Sequence, residues 1–187
     1  VLVLAMLLHS EQRLKLGVSL RWLCQQCGLA GEHHVLTALH HLAEHYKSTN
    51  RYRKAYDIHR DNSARRLALH GAEHKETLVS KNATAETLKL LGDLNAAVDE
   101  SWATLKLRKA ALGDRDAHTL ESADALVGLL ITLGHFDEAM PLCFATFKLR
   151  KALQLEGDTS ARLLEMLDTG FNFAQLLLEN GTYEEAV

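Results

Sequence analysis

Apolar residues along most of the chain recur at three- and four-residue steps, the spacing that puts side chains on one face of a helix. The clearest run is Leu120, Leu126, Leu129, Leu130 and Leu133. Their spacing predicts a helix over about Thr119–Leu133, ended by Gly134, which can take the left-handed conformation at a helix terminus. A turn at His135-Phe136 then leads into a second helix over about Asp137–Leu153. Asp137 and Glu138 fall in its first turn, where carboxylates complement the helix dipole, and Pro141 falls near that turn. Alternation of period two, the mark of a half-buried strand, does not occur.

The same helix pair repeats. Arg66, Arg108 and Arg150 stand 42 residues apart, as do Ala55, Ala97 and Ala139. Gly71 and Gly113, Gly92 and Gly134, Thr77-Leu78 and Thr119-Leu120, and Ser80 and Ser122 keep that interval. Gly71 and Gly113 are expected to close their helices as Gly134 does. A lone helix pair cannot bury its apolar stripe, so successive pairs must stack. The expected fold is therefore all-α: a right-handed α-solenoid of stacked antiparallel helix pairs. Residues 1–28 read as a partial repeat, and 29–70, 71–112 and 113–153 as full repeats. Residues 154–187 read as a fourth, truncated repeat with a short insertion. The apolar start, the missing initiator Met and the helical pattern at the last residues suggest a piece of a longer protein. Apolar residues at the two ends (Leu2, Leu4 and Leu7; Phe173, Leu177 and Tyr183) are expected to be exposed or covered by a partner.

Composition narrows the function. A net charge of −3 argues against a dedicated nucleic-acid binder, which needs clustered Lys and Arg against phosphates. Three cysteines do not make a disulfide framework, so a reducing, cytoplasmic setting is expected. The first eight residues are apolar but too few to span a bilayer, which takes about 20.

Gly134-His135-Phe136-Asp137-Glu138-Ala139-Met140-Pro141-Leu142, running on to Leu149-Arg150-Lys151-Ala152-Leu153, resembles the 42-residue tetratricopeptide variety found in kinesin light chains and in repeat arrays of large signalling proteins. Leu112-Gly113-Asp114-Arg115-Asp116-Ala117-His118-Thr119-Leu120 keeps the family's frame but loses its His-Pro-Asp, whereas His74-Lys75-Glu76-Thr77-Leu78 keeps the His. The resemblance implies a superhelix whose first helices line a concave groove for an extended peptide or partner helix. Carried over position by position, it points to His40, Glu44, Lys47, Asn82, Glu86, Lys89, Asp124 and Gln175 as groove candidates. It implies a protein-interaction scaffold, either a cargo adaptor or the repeat arm of a signalling protein, and no catalysis. Acidic residues outnumber basic ones in the groove, so a basic or neutral peptide is the expected ligand.

Two short motifs offer a competing chemistry, a metal-binding module or metallopeptidase. His41-Leu42-Ala43-Glu44-His45 matches H-x-x-E-H, in which two histidines one turn apart hold zinc beside a glutamate base. Cys24-Gln25-Gln26-Cys27 near His33 and His34 has the local spacing of a zinc knuckle. Both are outweighed. Leu42-Ala43 sits where Thr84-Ala85 and Leu126-Val127 sit in later repeats, so packing explains the helix, and the third ligand such a site needs, a downstream carboxylate such as Glu121, is nearly two repeats away. The expectation is no metal, no cofactor, no small-molecule substrate, no membrane and no nucleic acid, with Cys143 in the core.

Overall fold

A computed structural model describes residues 31–156 and Leu178. Cys24, Cys27, Gln175, the end residues named above and the 154–187 repeat (Leu178 and the backbone of 154–156 aside) lie outside the described residues. Those residues form six helices: α1 (Glu32–Ser48), α2 (Tyr52–His70), α3 (Lys75–Leu91), α4 (Leu94–Leu112), α5 (Ala117–Leu133) and α6 (Phe136–Glu156). Among the described residues there is no strand. The chain divides into two compact units between Leu91 and Gly92, so α1–α3 belong to one and α4–α6 to the other.

In the first unit α1 packs on α2, and α2 on α3. Leu36, Ala43 and Tyr46 make the buried stripe of α1 with Val35 and Leu39. Contacts from Glu32 to Arg65, Leu36 to Asn62 and Glu44 to His59 run in opposite directions along the two helices, so α1 and α2 are antiparallel. In the second unit α5 packs between α4 and α6, and buries Leu120, Leu126, Val127, Leu129 and Leu130.

The second helices of the repeats bury a stripe that is only partly apolar. Ala55, Ala97 and Ala139 are fully enclosed, and the next three turns bury His59, Ser101 and Cys143, then Asn62, Thr104 and Thr146, then Arg66, Arg108 and Arg150. The stripe carries three polar residues in α2 and α4 and two in α6, where Cys143 is apolar, and every buried polar group needs a partner. The arginines find theirs. From α2, Arg66 donates to the Glu76 carbonyl at 3.1 Å and to Ser80 Oγ at 2.9 Å, and pairs with the Glu76 carboxylate at 3.0 Å, all on α3. From α4, Arg108 donates to the His118 carbonyl at 2.7 Å and to Ser122 Oγ, both on α5. Each guanidinium therefore ties a second helix to the first helix of the following repeat. Arg150 also binds α5, where its Nε and terminal nitrogen both reach Asp124 Oδ2, at 3.1 and 2.6 Å.

The ends of α2 to α5 follow the glycines, with one correction. Gly134 caps α5 in the left-handed helical conformation, φ 74° and ψ 17°. Gly71 and Gly113 also have positive φ, 87° and 88°, but their ψ values of 172° and 165° are extended. They end helices in a conformation reserved for glycine, not in the one adopted by Gly134. Asp93 and Asp116 accept from backbone amides at the starts of α4 and α5, so Asp116 caps α5 even where the family's His-Pro-Asp is lost. Pro141 lies six residues into α6, beyond the first turn. Its missing N–H thus leaves the Asp137 carbonyl without its helical donor, a larger cost than the sequence position suggested.

Candidate functional site

The first helices carry the expected interaction residues. On α1, His40, Glu44 and Lys47 are half-buried; on α3, Asn82 is half-buried while Glu86 and Lys89 are exposed. Lys47 Nζ lies 2.7 Å from Glu44 Oε2 and 3.1 Å from Glu86 Oε2, so the C-terminal part of α1 reaches α3. Asn82 donates its amide to Glu86 Oε1 at 2.8 Å. Asn82, expected to be an open peptide contact, is thus already engaged and partly covered. Burial works against the charge on Lys47, but its bonds to Glu44 and Glu86 overcome it and raise the ammonium pKa. Glu44 is balanced likewise: burial opposes its charge, and Lys47 more than compensates, holding the carboxyl below its usual value. On α5, Asp124 is half-buried and bound to Arg150, which makes it an internal anchor for α6 more than an open contact.

The H-x-x-E-H reading does not survive in its original form. His41 and His45 are exposed, while Glu44 turns to the other side of α1. What Glu44 meets there is His59 of α2, with Glu44 Oε1 3.2 Å from His59 Nε2. His40, one turn before Glu44, completes the group; its ring centroid is 5.4 Å from that of His59. One ligand atom from each of His40, Glu44 and His59 lies within 4.8 Å of the others. His59 is wholly buried, and neither of its ring nitrogens makes a well-formed hydrogen bond, nor does Nδ1 of His40. Burial drives the His59 pKa down to about 4, with Glu44 opposing and His40 and Lys47 reinforcing, so the ring is neutral near pH 7. Burial also lowers the pKa of His40.

Sequence reasoning named His40 and Glu44 but missed His59. The signal was available: Ser101 and Cys143 hold the same repeat position, and an antiparallel pair places it opposite His40 and Glu44. Cys143 is a fully buried core residue as expected, with its thiol pushed up to about 12 by burial and then by Asp124.

A second histidine group gathers where the start of α1, the end of α2 and the start of α3 meet. His70 and His74 stack with centroids 4.3 Å apart, and His33 lies edge-on to His70 at 6.3 Å. Burial, then the neighbouring His74, His33 and Arg66, lowers the His70 pKa, with Glu76 acting the other way.

No family model matches the chain, and no curated protein matches it. Solved structures do. BtubC (BKLC) from P. vanneervenii superposes with a TM-score of 0.73 at 18% identity, over 81% of this chain and 59% of that one. A point-substituted form of a Podospora anserina protein, assigned as a kinesin light chain with nearly identical TPR-like repeats, gives 0.69 at 21% identity over 81% and 69%. A second structure of that Podospora protein gives 0.54 at 17% identity over 81% and 89%. These likenesses settle the fold class. The chain is an all-α solenoid protein of tetratricopeptide-like helical repeats, and its structural neighbours are of the kinesin-light-chain kind.

Proposed function

We propose that this chain is a protein-interaction scaffold that takes an extended peptide or partner helix on the face shared by α1 and α3, and that it is not an enzyme. The observation that carries this reading is the Lys47–Glu86 contact at 3.1 Å, which sets the first helices of two successive repeats side by side with Glu86 and Lys89 exposed. A repeat fold that stacks helix pairs generates extended surfaces of this kind and uses them for binding. The reading takes 29–70, 71–112 and 113–153 as full repeats and a cytoplasmic setting. The kinesin-light-chain likeness supports a cargo-adaptor role within it, and the repeat arm of a signalling protein has the same support from fold.

Charge indicates the ligand. Glu44 and Glu86 both hold Lys47, Lys89 is exposed on α3, and in the second unit, taken by itself, Glu121 is exposed on α5. A peptide of basic or neutral character suits that balance better than an acidic one. Fluorescence anisotropy with two peptide libraries, matched in length and hydropathy but opposite in charge, tests it. The basic library is expected to bind more tightly and to lose affinity with added salt. Preferential binding of the acidic library would contradict the charge assignment, and binding by neither would contradict the scaffold reading.

A further inference from the structure

We propose that His40, Glu44 and His59 form a binding site for one divalent transition-metal ion of the zinc class, which clamps α1 to α2. The donor set is two imidazole nitrogens and one carboxylate oxygen, the combination zinc takes with a fourth position left for water. Calcium and magnesium require oxygen donors and have no use for paired imidazoles. His40 and Glu44 sit one turn apart on the same face of α1, and His59 approaches from α2. Their ligand atoms already lie within 4.8 Å of one another. Zinc bonds of about 2.0–2.2 Å need ligands roughly 3.3 Å apart, a closure that side-chain rotation can supply.

Two further observations support the site. His59 is fully buried, with Nε2 3.2 Å from Glu44 Oε1 and neither ring nitrogen in a well-formed hydrogen bond, so a metal bond would satisfy one of the two. Lys47 takes only Oε2 of Glu44, leaving Oε1 facing His59. The Lys47 charge is shared with Glu86, which limits its repulsion of a cation.

The fold does not demand this group. At the corresponding positions the next repeat carries Asn82, Glu86 and Ser101, and the one after it Asp124, Gly128 and Cys143. Among the described residues, two histidines and a glutamate converge in this way in the first repeat alone. The site does not rest on the peptide-binding reading, because the metal is tested without any peptide.

The experiment is a Co²⁺ titration of the chelator-treated full chain at neutral pH, followed by Zn²⁺ displacement and a thermal melt with and without Zn²⁺. The proposal expects one equivalent of Co²⁺ with visible ligand-field bands and no thiolate charge-transfer band, displacement by Zn²⁺, and a higher Tm with Zn²⁺. His59→Gln, Glu44→Ala and His40→Ala should each weaken binding by roughly tenfold or more, since even supporting groups around a metal are worth that much. Cys24→Ala/Cys27→Ala should bind as the parent does. If His59→Gln fails to fold, the Glu44 and His40 variants decide, because both residues are partly exposed. Metal binding unchanged in those two variants, binding lost in the double cysteine variant, or no uptake at micromolar metal would each overturn the proposal.

Discussion

At the scale of single residues, the glycine caps separate two kinds of conformational demand. Gly134 is left-handed helical, a conformation other residues enter at a cost of about 1–2 kcal/mol. Gly113 combines φ 88° with ψ 165°, a region almost closed to residues with a Cβ. A Cβ built at either site meets nothing within 4 Å, so strain alone sets the cost. Gly113→Ala should therefore destabilise by ~2–3 kcal/mol and Gly134→Ala by ~1 kcal/mol in urea denaturation; the reverse order would contradict the cap assignments. That glycines end α2 to α5 is legible in the sequence, but which positive-φ conformation each takes is not, because glycine permits both. Cys143 makes a second residue-level test. With its thiol pushed up to about 12, alkylation of the native chain at pH 8.5, followed by peptide mass mapping, should leave Cys143 unmodified until denaturant is added. Rapid native labelling would show that its pocket is open.

At the scale of elements, buried arginines carry the stacking. Arg66 is 2% exposed and reaches three groups of α3, and Arg108 repeats two of those bonds, to a carbonyl and a serine hydroxyl of α5. Arg66→Ala removes those bonds and strands a carboxylate and a hydroxyl at the α2–α3 contact. The expected loss is about 2–4 kcal/mol by urea denaturation, reduced from the full buried-pair value because Glu76 is partly hydrated. A loss below ~1 kcal/mol would mean that apolar packing alone holds the helices. The 42-residue step of these arginines and of Ser80 and Ser122 is plain in the sequence. Their role was not, because hydropathy patterning places arginine at the surface and the partner belongs to another repeat. Arg150 keeps the step and binds Asp124 of α5.

The junction of three helix ends at His33, His70 and His74 adds a pH dependence. His70 has a lowered pKa in the folded chain, so below its unfolded value of about 6.5 the unfolded chain takes up the proton first. Its contribution to stability is full above that pH and is lost as pH falls through it. The Tm should therefore drop between pH 7.5 and 5.5, and His70→Gln should drop less. The difference between the two proteins is what reads His70. Equal drops would remove it as a cause.

At the scale of the whole molecule, helical periodicity and the repeat step sufficed for the fold class, and solved tetratricopeptide-like structures over 81% of the chain bear it out. The candidate site was less legible. The interaction positions follow from the repeat frame, yet the frame says nothing about which of them already hold one another, as Asn82 and Glu86 do. Nor does it bring His59 to His40 and Glu44, which requires the antiparallel register of α1 and α2. Among the described residues no helix is long and apolar enough to cross a membrane.

The central claim is that the first-helix face of α1 and α3 binds a protein ligand. Its most direct test is peptide affinity, by fluorescence anisotropy, in Asn82→Ala/Glu86→Ala against Lys106→Ala/Lys148→Ala, whose side chains are exposed on the second helices α4 and α6. The face assignment predicts that the first pair weakens binding by ~1–3 kcal/mol, with little change in Tm because exposed pairs contribute at most about 1 kcal/mol. The lysine pair should bind as the parent does. Affinity untouched by the Asn82/Glu86 pair but lost with the Lys106/Lys148 pair would contradict the account.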